Sequence, residues 1–332
     1  MQKTQFRRKI WFKALAASPR RVQAGPERRN KDIILKKEMS VLKDNSMKVA
    51  VIGGAGRMGK WLTDYFKKSG YDVTISDTRR EEAKTVAKST GARLALNNIE
   101  AIKEAELIVL STPIDVTPKV LKEISYKIKI SVTIVEISSL KSKVFPVLEK
   151  IAAQGKRIVS IHPLFGPGVT KTAGEKIALV PVSDPSSEFK VAKTLFPNME
   201  LVVVDFEEHD KAMAVALSLP HFLNIVFASV IGQEDLNVLK KLGGTTFALQ
   251  LILSEGVMSE DPSLYASIQM DNKFSAQILE KFIADAETLK QHIKEGNLKA
   301  FTQFYIDTQT SLTKDSDFGI AYEKMYKAFE AI

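Results

Sequence analysis

The chain has 332 residues, 45% hydrophobic and 26% charged, enough to bury the cores of two ordinary globular domains. It has no cysteine, which excludes a disulfide framework, a thiolate metal site and a cysteine nucleophile, and which suits a reducing, cytoplasmic setting. The net charge of +9 would suit a nucleic-acid binder, but its distribution argues against one: residues 1–46 hold 13 of the 48 Lys and Arg and only 4 of the 39 Asp and Glu, and the rest of the chain carries 35 of each sign.

Residues 1–46 show no hydrophobic period and read as a basic, disordered extension. They lack the apolar stretch of a secretory signal, although their arginine-rich start has some transit-peptide character. Met39 and Met47 would each serve as a start, and Met47 directly precedes the first strand. No run approaches 18 apolar residues, so no membrane span is expected.

From 47 to 205 strands and helices alternate. The first strand, Lys48–Ile52, runs into Gly53-Gly54-Ala55-Gly56-Arg57-Met58-Gly59 and then into a helix over Arg57–Lys68. Gly54, Gly56 and Gly59 fit G-x-G-x-x-G. The first allows a tight turn, the second lets the main chain approach a pyrophosphate, and the third packs the helix on the strand. Arg57 and Met58 open that helix, whose free amides and partial positive charge suit an anion. The second strand, Asp72–Ser76, leads to Asp77, 23 residues after Gly54, where a ribose-binding acid is expected. Arg79 and Arg80 follow and could instead clamp a 2′-phosphate. The cofactor therefore reads as NAD(P)+, with NADP slightly favoured over NAD.

Further strands are expected at Arg93–Leu96, Leu107–Ser111, Thr133–Ile137, Arg157–Ile161, Ile177–Pro181 and Leu201–Val204, with helices over Arg79–Thr90, Asp115–Ile124, Lys143–Gln154 and Ser187–Leu195. Runs such as Leu107–Leu110 are apolar at successive positions, as in central strands of a parallel sheet covered on both faces. The fold class is α/β, a Rossmann-type doubly wound sheet. Three of its strand ends carry chemistry. Ser111-Thr112-Pro113 re-aims the chain over the nicotinamide position. Ser138-Ser139-Leu140-Lys141 offers hydroxyls and an ammonium to an anionic substrate, or is only a turn with a helix cap. His162 opens the rigid loop His162-Pro-Leu-Phe-Gly-Pro-Gly168 at the crevice edge and reads as a general base, its ordinary pKa lying near neutrality.

Beyond 205 the pattern is helical: Phe206–Gln233, Leu236–Leu242, Thr246–Met258, Pro262–Met270, Lys273–Glu295, Leu298–Thr313 and Asp317–Phe329. Residues 206–332 read as an all-α substrate and dimerisation domain, and the cleft between the two domains as the site. Pro220 should kink the first of these helices. His209 and His221 flank it twelve residues apart, so both can project to one side, and His292 reads as surface. No metal site is expected, since no recognised ligand spacing occurs.

Together, the glycine loop, Ser111-Thr-Pro113, Ser138-Ser139-Leu-Lys141, His162-Pro-Leu-Phe-Gly-Pro167 and His209-Asp … Leu219-Pro-His221 resemble the prephenate/arogenate dehydrogenase family of tyrosine biosynthesis, over about 47–332. The resemblance implies a helical domain of the 6-phosphogluconate-dehydrogenase C-terminal type and an NAD(P)+-dependent oxidative decarboxylation of prephenate. It implies that His162 is the catalytic base and that Ser139 bonds the substrate hydroxyl or the histidine. It also implies that His221 contacts substrate and that His209 supports it. The family's helical domain usually grips a substrate carboxylate with an arginine, but this chain has none after Arg157, and Ala248 stands near the expected place. Lys240, Lys241 and Lys273 are the candidate substitutes, beside Lys141. Alternatives are an arogenate dehydrogenase, a β-hydroxyacid or imine reductase, and a non-catalytic dinucleotide-binding module. No nucleic-acid or membrane partner is expected.

Overall fold

The computed structural model describes Ser46–Ala331, so the basic stretch read at 1–46 lies, up to residue 45, outside the described residues. Eight strands form one sheet: β1 (Lys48–Ile52), β2 (Asp72–Ser76), β3 (Arg93–Leu94), β4 (Leu107–Leu110), β5 (Thr133–Glu136), β6 (Arg157–Pro163), β7 (Lys176–Leu179) and β8 (Glu200–Val203). Their order is β3-β2-β1-β4-β5-β6-β7-β8. All neighbours are parallel except β6 and β7. Winding reverses between β1 and β4, which opens a crevice at the carboxyl ends of the strands. The helices of this half are α1 (Arg57–Lys68), α2 (Arg80–Thr90), α3 (Asn98–Ile102), α4 (Thr117–Ser125), α5 (Phe145–Ala152) and α6 (Pro185–Leu195).

The central strands are apolar throughout because both faces are covered. Ala50, Ile52, Ile108, Leu110, Ile134 and Ile158 pack on one face with Leu121, Ile124, Leu148 and Ile151 from α4 and α5. Two differences from expectation bear on the site. The short helix α3 is capped by the Asn97 side chain, which accepts from the Glu100 amide, and is too short to show a period. Strand β6 runs on through Pro163, because the antiparallel β7 continues its ladder. His162 therefore sits within the strand, opposite Ala178, rather than after it.

The tight-turn role falls to Gly53 rather than Gly54. The left-handed residue of the turn is Gly53, with φ +83°, and a Cβ there would lie 2.3 Å from the Ser111 carbonyl oxygen. Gly54 is required instead by contact with Ile75, whose Cβ would be 2.6 Å away. Gly59 packs the helix on the turn, since its Cβ would fall 2.0 Å from the Gly53 oxygen.

After β8 the described residues are helical: α7 (Phe206–Met213), a π turn (Ala214–Ser218), α8 (Leu219–Ile231), α9 (Leu236–Leu242), α10 (Thr245–Met258), α11 (Pro262–Met270), α12 (Ser275–Lys294), α13 (Leu298–Leu312), a 3₁₀ turn (Phe318–Ile320) and α14 (Ala321–Glu330). The Pro220 kink takes the form of the π turn, in which the Leu219 amide donates to the Ala214 carbonyl, five residues back. Twelve residues at 100° each end about 120° past three full turns. One π turn absorbs roughly one residue, which leaves His209 and His221 within about 20° of each other. Among the described residues Phe206–Ile231 is one helix long and apolar enough to cross a membrane, with mean hydropathy 1.9. The reading from unbroken runs misses it because His209, Asp210, Pro220, His221 and Asn224 interrupt the apolar residues without lowering their average much. These same residues make it the helix that carries the site.

Replacing Gly59 with alanine should cost about 1–3 kcal/mol through overpacking. In thermal melts this should appear as a Tm lower by roughly 5 °C. Gly256→Ala, at an exposed, uncrowded position inside α10, should instead raise Tm, through a gain of up to about 1 kcal/mol of helix propensity.

Candidate active site

The carboxyl ends of β5 and β6 meet the first turns of α7, and three side chains line up there. His162 Nδ1 lies 3.1 Å from His209 Nε2, and His209 Nδ1 lies 2.8 Å from Asp210 Oδ1. Asp210 also accepts the Lys141 amide at 3.0 and 3.2 Å, the Ser142 amide at 2.8 Å and the Ser142 hydroxyl. The carboxylate only accepts, so His209 donates from Nδ1 and accepts at Nε2. His162 then donates from Nδ1, and its Nε2 carries the lone pair. That nitrogen has no partner among the described residues and is not one of the sealed polar atoms.

The electrostatics keep His162 neutral. Burial pushes His162 well below 6.5, and the neighbouring His209 and Lys141 charges push the same way. Burial also lowers His209, against the opposing pull of Asp210. For Asp210, burial works upward but is outweighed by the bonds from His209, Ser142 and the Lys141 amide, so its carboxyl lies below the usual range.

Lys141 is not where the sequence reading put it. Its ammonium is fully buried, donating to Glu136 Oε2 at 2.8 Å and to the Ile161 carbonyl at 2.7 Å. Glu136 also takes the Ser160 hydroxyl at 2.8 Å and the Ser138 amide. A buried carboxylate at the end of β5 needs a buried cation, and Lys141 supplies it. Lys273 is likewise turned elsewhere. It pairs with Glu207 at 3.0 Å and lies over the Phe274 ring, while Asn272 holds the Asp210 carbonyl at 2.7 Å. Ser139 is half-buried and makes no side-chain hydrogen bond among the described residues, so the partner of His162 is His209 rather than Ser139. His221 packs edge-on to Tyr265, ring centres 4.8 Å apart, with its Nδ1 buried and unpartnered. His292, read as surface, is half-buried, with Nδ1 sealed and unpartnered.

At the other end of the crevice the first turn of α1 has no side-chain cap, so the amides of Arg57, Met58 and Gly59 are open to an anion. A Cβ on Gly56 would meet the Gly53 oxygen at 3.3 Å and Arg79 Nη2 at 3.5 Å. Asp77 accepts the Ala55 amide at 2.9 Å on one oxygen and Arg79 Nε at 3.2 Å on the other, which braces the loop. Arg80 is spent on the Ala95 carbonyl at 2.7 Å, whereas Arg79 stays half-exposed. Ser111, Thr112 and Pro113 stand beside the turn, the Ser111 carbonyl against Gly53 and the Thr112 hydroxyl 2.8 Å from that of Thr117.

The two halves join through the apolar cluster of Ile114 and Leu140 with Met213, Leu217, Tyr265 and Ile268, and through Phe145 stacked on Phe206 at 4.7 Å. An uncapped glycine turn that faces a histidine relay completed by a second, helical half is the arrangement of two-domain dinucleotide-binding proteins. Residues 62–204 match the family described as "Prephenate dehydrogenase, nucleotide-binding domain", and residues 205–305 match "Prephenate dehydrogenase, dimerization domain". The chain belongs to the prephenate dehydrogenase family, as its motifs implied.

A probable arogenate/prephenate dehydrogenase of Methanocaldococcus jannaschii is 25% identical over 85% of this chain and 64% of its own length. The T-protein of Enterobacter agglomerans is 22% identical over 76% of this chain and 64% of its own. The chain thus spans a little under two thirds of these curated relatives. In fold it is similar to Aquifex aeolicus prephenate dehydrogenase in complex with hydroxyphenyl propionate and NAD+, with TM-score 0.66, 20% identity, and 81% and 98% of the two chains covered. It is also similar to Synechocystis arogenate dehydrogenase, with TM-score 0.60, 15% identity, and 81% and 99% covered.

The pH dependence of stability follows from the lowered histidines. Below 6.5 the unfolded chain takes protons that the folded His162 refuses, so stability is full above that value and is lost as pH falls toward the folded pKa. His209 and His221 act in the same direction. Thermal melts should show Tm falling between pH 7.5 and 5.5, with a shallower fall in His162→Asn. An equal slope in both proteins would contradict a neutral, buried His162.

Proposed function

We propose that this chain is an NAD(P)+-dependent prephenate dehydrogenase, converting prephenate to 4-hydroxyphenylpyruvate. The observation that carries the reading is the Asp210–His209–His162 relay at the carboxyl edge of the sheet. The backbone amides at 57–59 would hold the pyrophosphate, and the bound dinucleotide supplies the acceptor for hydride. His162 Nε2 accepts the proton of the ring hydroxyl as hydride leaves the same carbon. Carbon dioxide departs as the ring becomes aromatic, which makes the step irreversible. Positive charge arising on His162 is shared through its Nδ1–H with His209 and balanced by Asp210, so the carboxylate two residues away favours proton uptake without touching substrate. We assign His221 and Ser139 as the remaining substrate contacts, the roles their motif matches imply.

Arg79 supports acceptance of NADP. Asp77 is already occupied on both oxygens, and the Arg79 guanidinium, paired with it through Nε and Nη2, keeps about half of its surface outward. The helical half exposes Val226, Val230, Leu242 and Leu253, the last three by more than half, and this supports a homodimer through that half.

Reduced cofactor followed at 340 nm with prephenate, and with arogenate as comparison, tests the reaction. His162→Asn should lose about 10²–10⁴-fold in kcat with cofactor binding kept. Asp210→Asn should lose on the same scale, because an amide can donate to His209 Nδ1 and reverse the tautomer. Unchanged turnover in His162→Asn would refute its role. Arg79→Ala should raise the KM for NADP by about tenfold or more and leave NAD little changed, the size expected for a charge-assisted bond.

A further inference from the structure

We propose that Arg57, on the cofactor side of the crevice, is the cation that takes a carboxylate of the substrate. This rests on the reading of the substrate above, a dianion whose two carboxylates require recognition. The helical half contains no arginine to serve it. Of the lysines that might substitute, Lys141 is held by Glu136, Lys273 by Glu207 and Lys240 by Glu255, which leaves Lys241, exposed in the last turn of α9, as the rival to Arg57.

Arg57 is the first residue of α1, yet its side chain crosses to the helical half. Its Nη1 pairs there with Glu260, between α10 and α11. The Arg57 side chain keeps 61% of its surface exposed, whereas Glu260 keeps 20%. One nitrogen of the fork is therefore fixed and the other edge is open, as a planar bidentate contact to a carboxylate requires. Glu260 is a positioning residue, aiming the guanidinium across the crevice rather than leaving it along its own helix.

What Arg57 reaches also points to a ligand. Tyr265 lies within the electrostatic range of both Arg57 and Glu260. Its ring packs on His221, whose Nδ1 is sealed from solvent and unpartnered. Tyr265 is also part of the apolar joint at Ile114 and Leu140, which follow the ends of β4 and β5. Arg57 and Glu260 thus act on Tyr265, which packs against both His221 and the joint, while the base His162 lies on β6, the strand beside β5. The competing role for Arg57 is a grip on the cofactor pyrophosphate, since it begins the helix that faces that group.

The test separates the two roles. Steady-state constants for prephenate at saturating cofactor, and cofactor Kd measured without substrate by calorimetry, are compared for the unaltered chain, Arg57→Gln, Arg57→Lys and Glu260→Gln. Arg57→Gln should raise the KM for prephenate by about 10- to 100-fold, with kcat and cofactor Kd within about threefold. Lysine at 57 should recover part of that loss, and Glu260→Gln should raise KM by a smaller factor. A change confined to cofactor Kd overturns the proposal in favour of the pyrophosphate. An unmoved KM in a chain that turns over prephenate overturns it while leaving the reaction standing. Absence of turnover in the unaltered chain removes both.

Discussion

The structure turns on the Asp210 carboxylate. It belongs to the helical half, yet two amides and a hydroxyl bonded to it come from the turn after β5, and the remaining bond goes to His209. A buried carboxylate is costly unless its lone pairs are filled, and here the filling comes from both halves. Docking of the halves and the tautomer of His162 are therefore one event. If the helical half swings away, Asp210 loses the 141–142 amides, and His209 moves off His162 with it. The His162–His209–Asp210 relay is complete only while the two halves are joined.

Beneath this lies a second buried ion pair with a different task. Lys141 and Glu136 turn inward and pull the 138–141 turn tight, so that the backbone amides of 141 and 142 point out toward Asp210. Losing one partner would leave the other charge stranded in the core, a loss typically of about 3–5 kcal/mol. The Lys141 charge also helps keep His162 unprotonated. A residue that looks like a substrate contact in the sequence thus works as a strut and as a field source.

The strand-helix alternation and the glycine loop were legible because burial on both faces and a close-packed turn restrict residue type at each position. Strand ends were recovered to within a residue or two for most strands, and His162 stood out by its place at one of them. Side-chain direction was not legible. Ser-Ser-Leu-Lys at a strand end says that polar groups are there, not whether they face the crevice or the core. Glu136, a lone carboxylate ending an apolar strand, was the available signal that a cation had to be buried nearby. The relay was missed for a related reason: His209 and Asp210 are adjacent in sequence, and only the docking of α7 against β6 turns them into a series with His162. The π turn was invisible as such, although Pro220, which has no amide to give to Ala216, marked where the helix had to be rewound.

That rewinding also sorts the long helix into two faces with separate work. His209, Asp210, Ser218 and Asn224 are buried toward the sheet and the neighbouring helices, where Asn224 accepts from Gln250 at 2.8 Å and from Ser254 at 2.9 Å. Val215, Val226 and Val230 stand 41–59% exposed. An apolar stripe of this size is expensive to leave in water, at roughly 25 cal/mol for each Å². Covering it with a second copy would stabilise the helix that positions Asp210. Association and base orientation would then be thermodynamically linked without any residue serving both, because one rigid element carries the two faces.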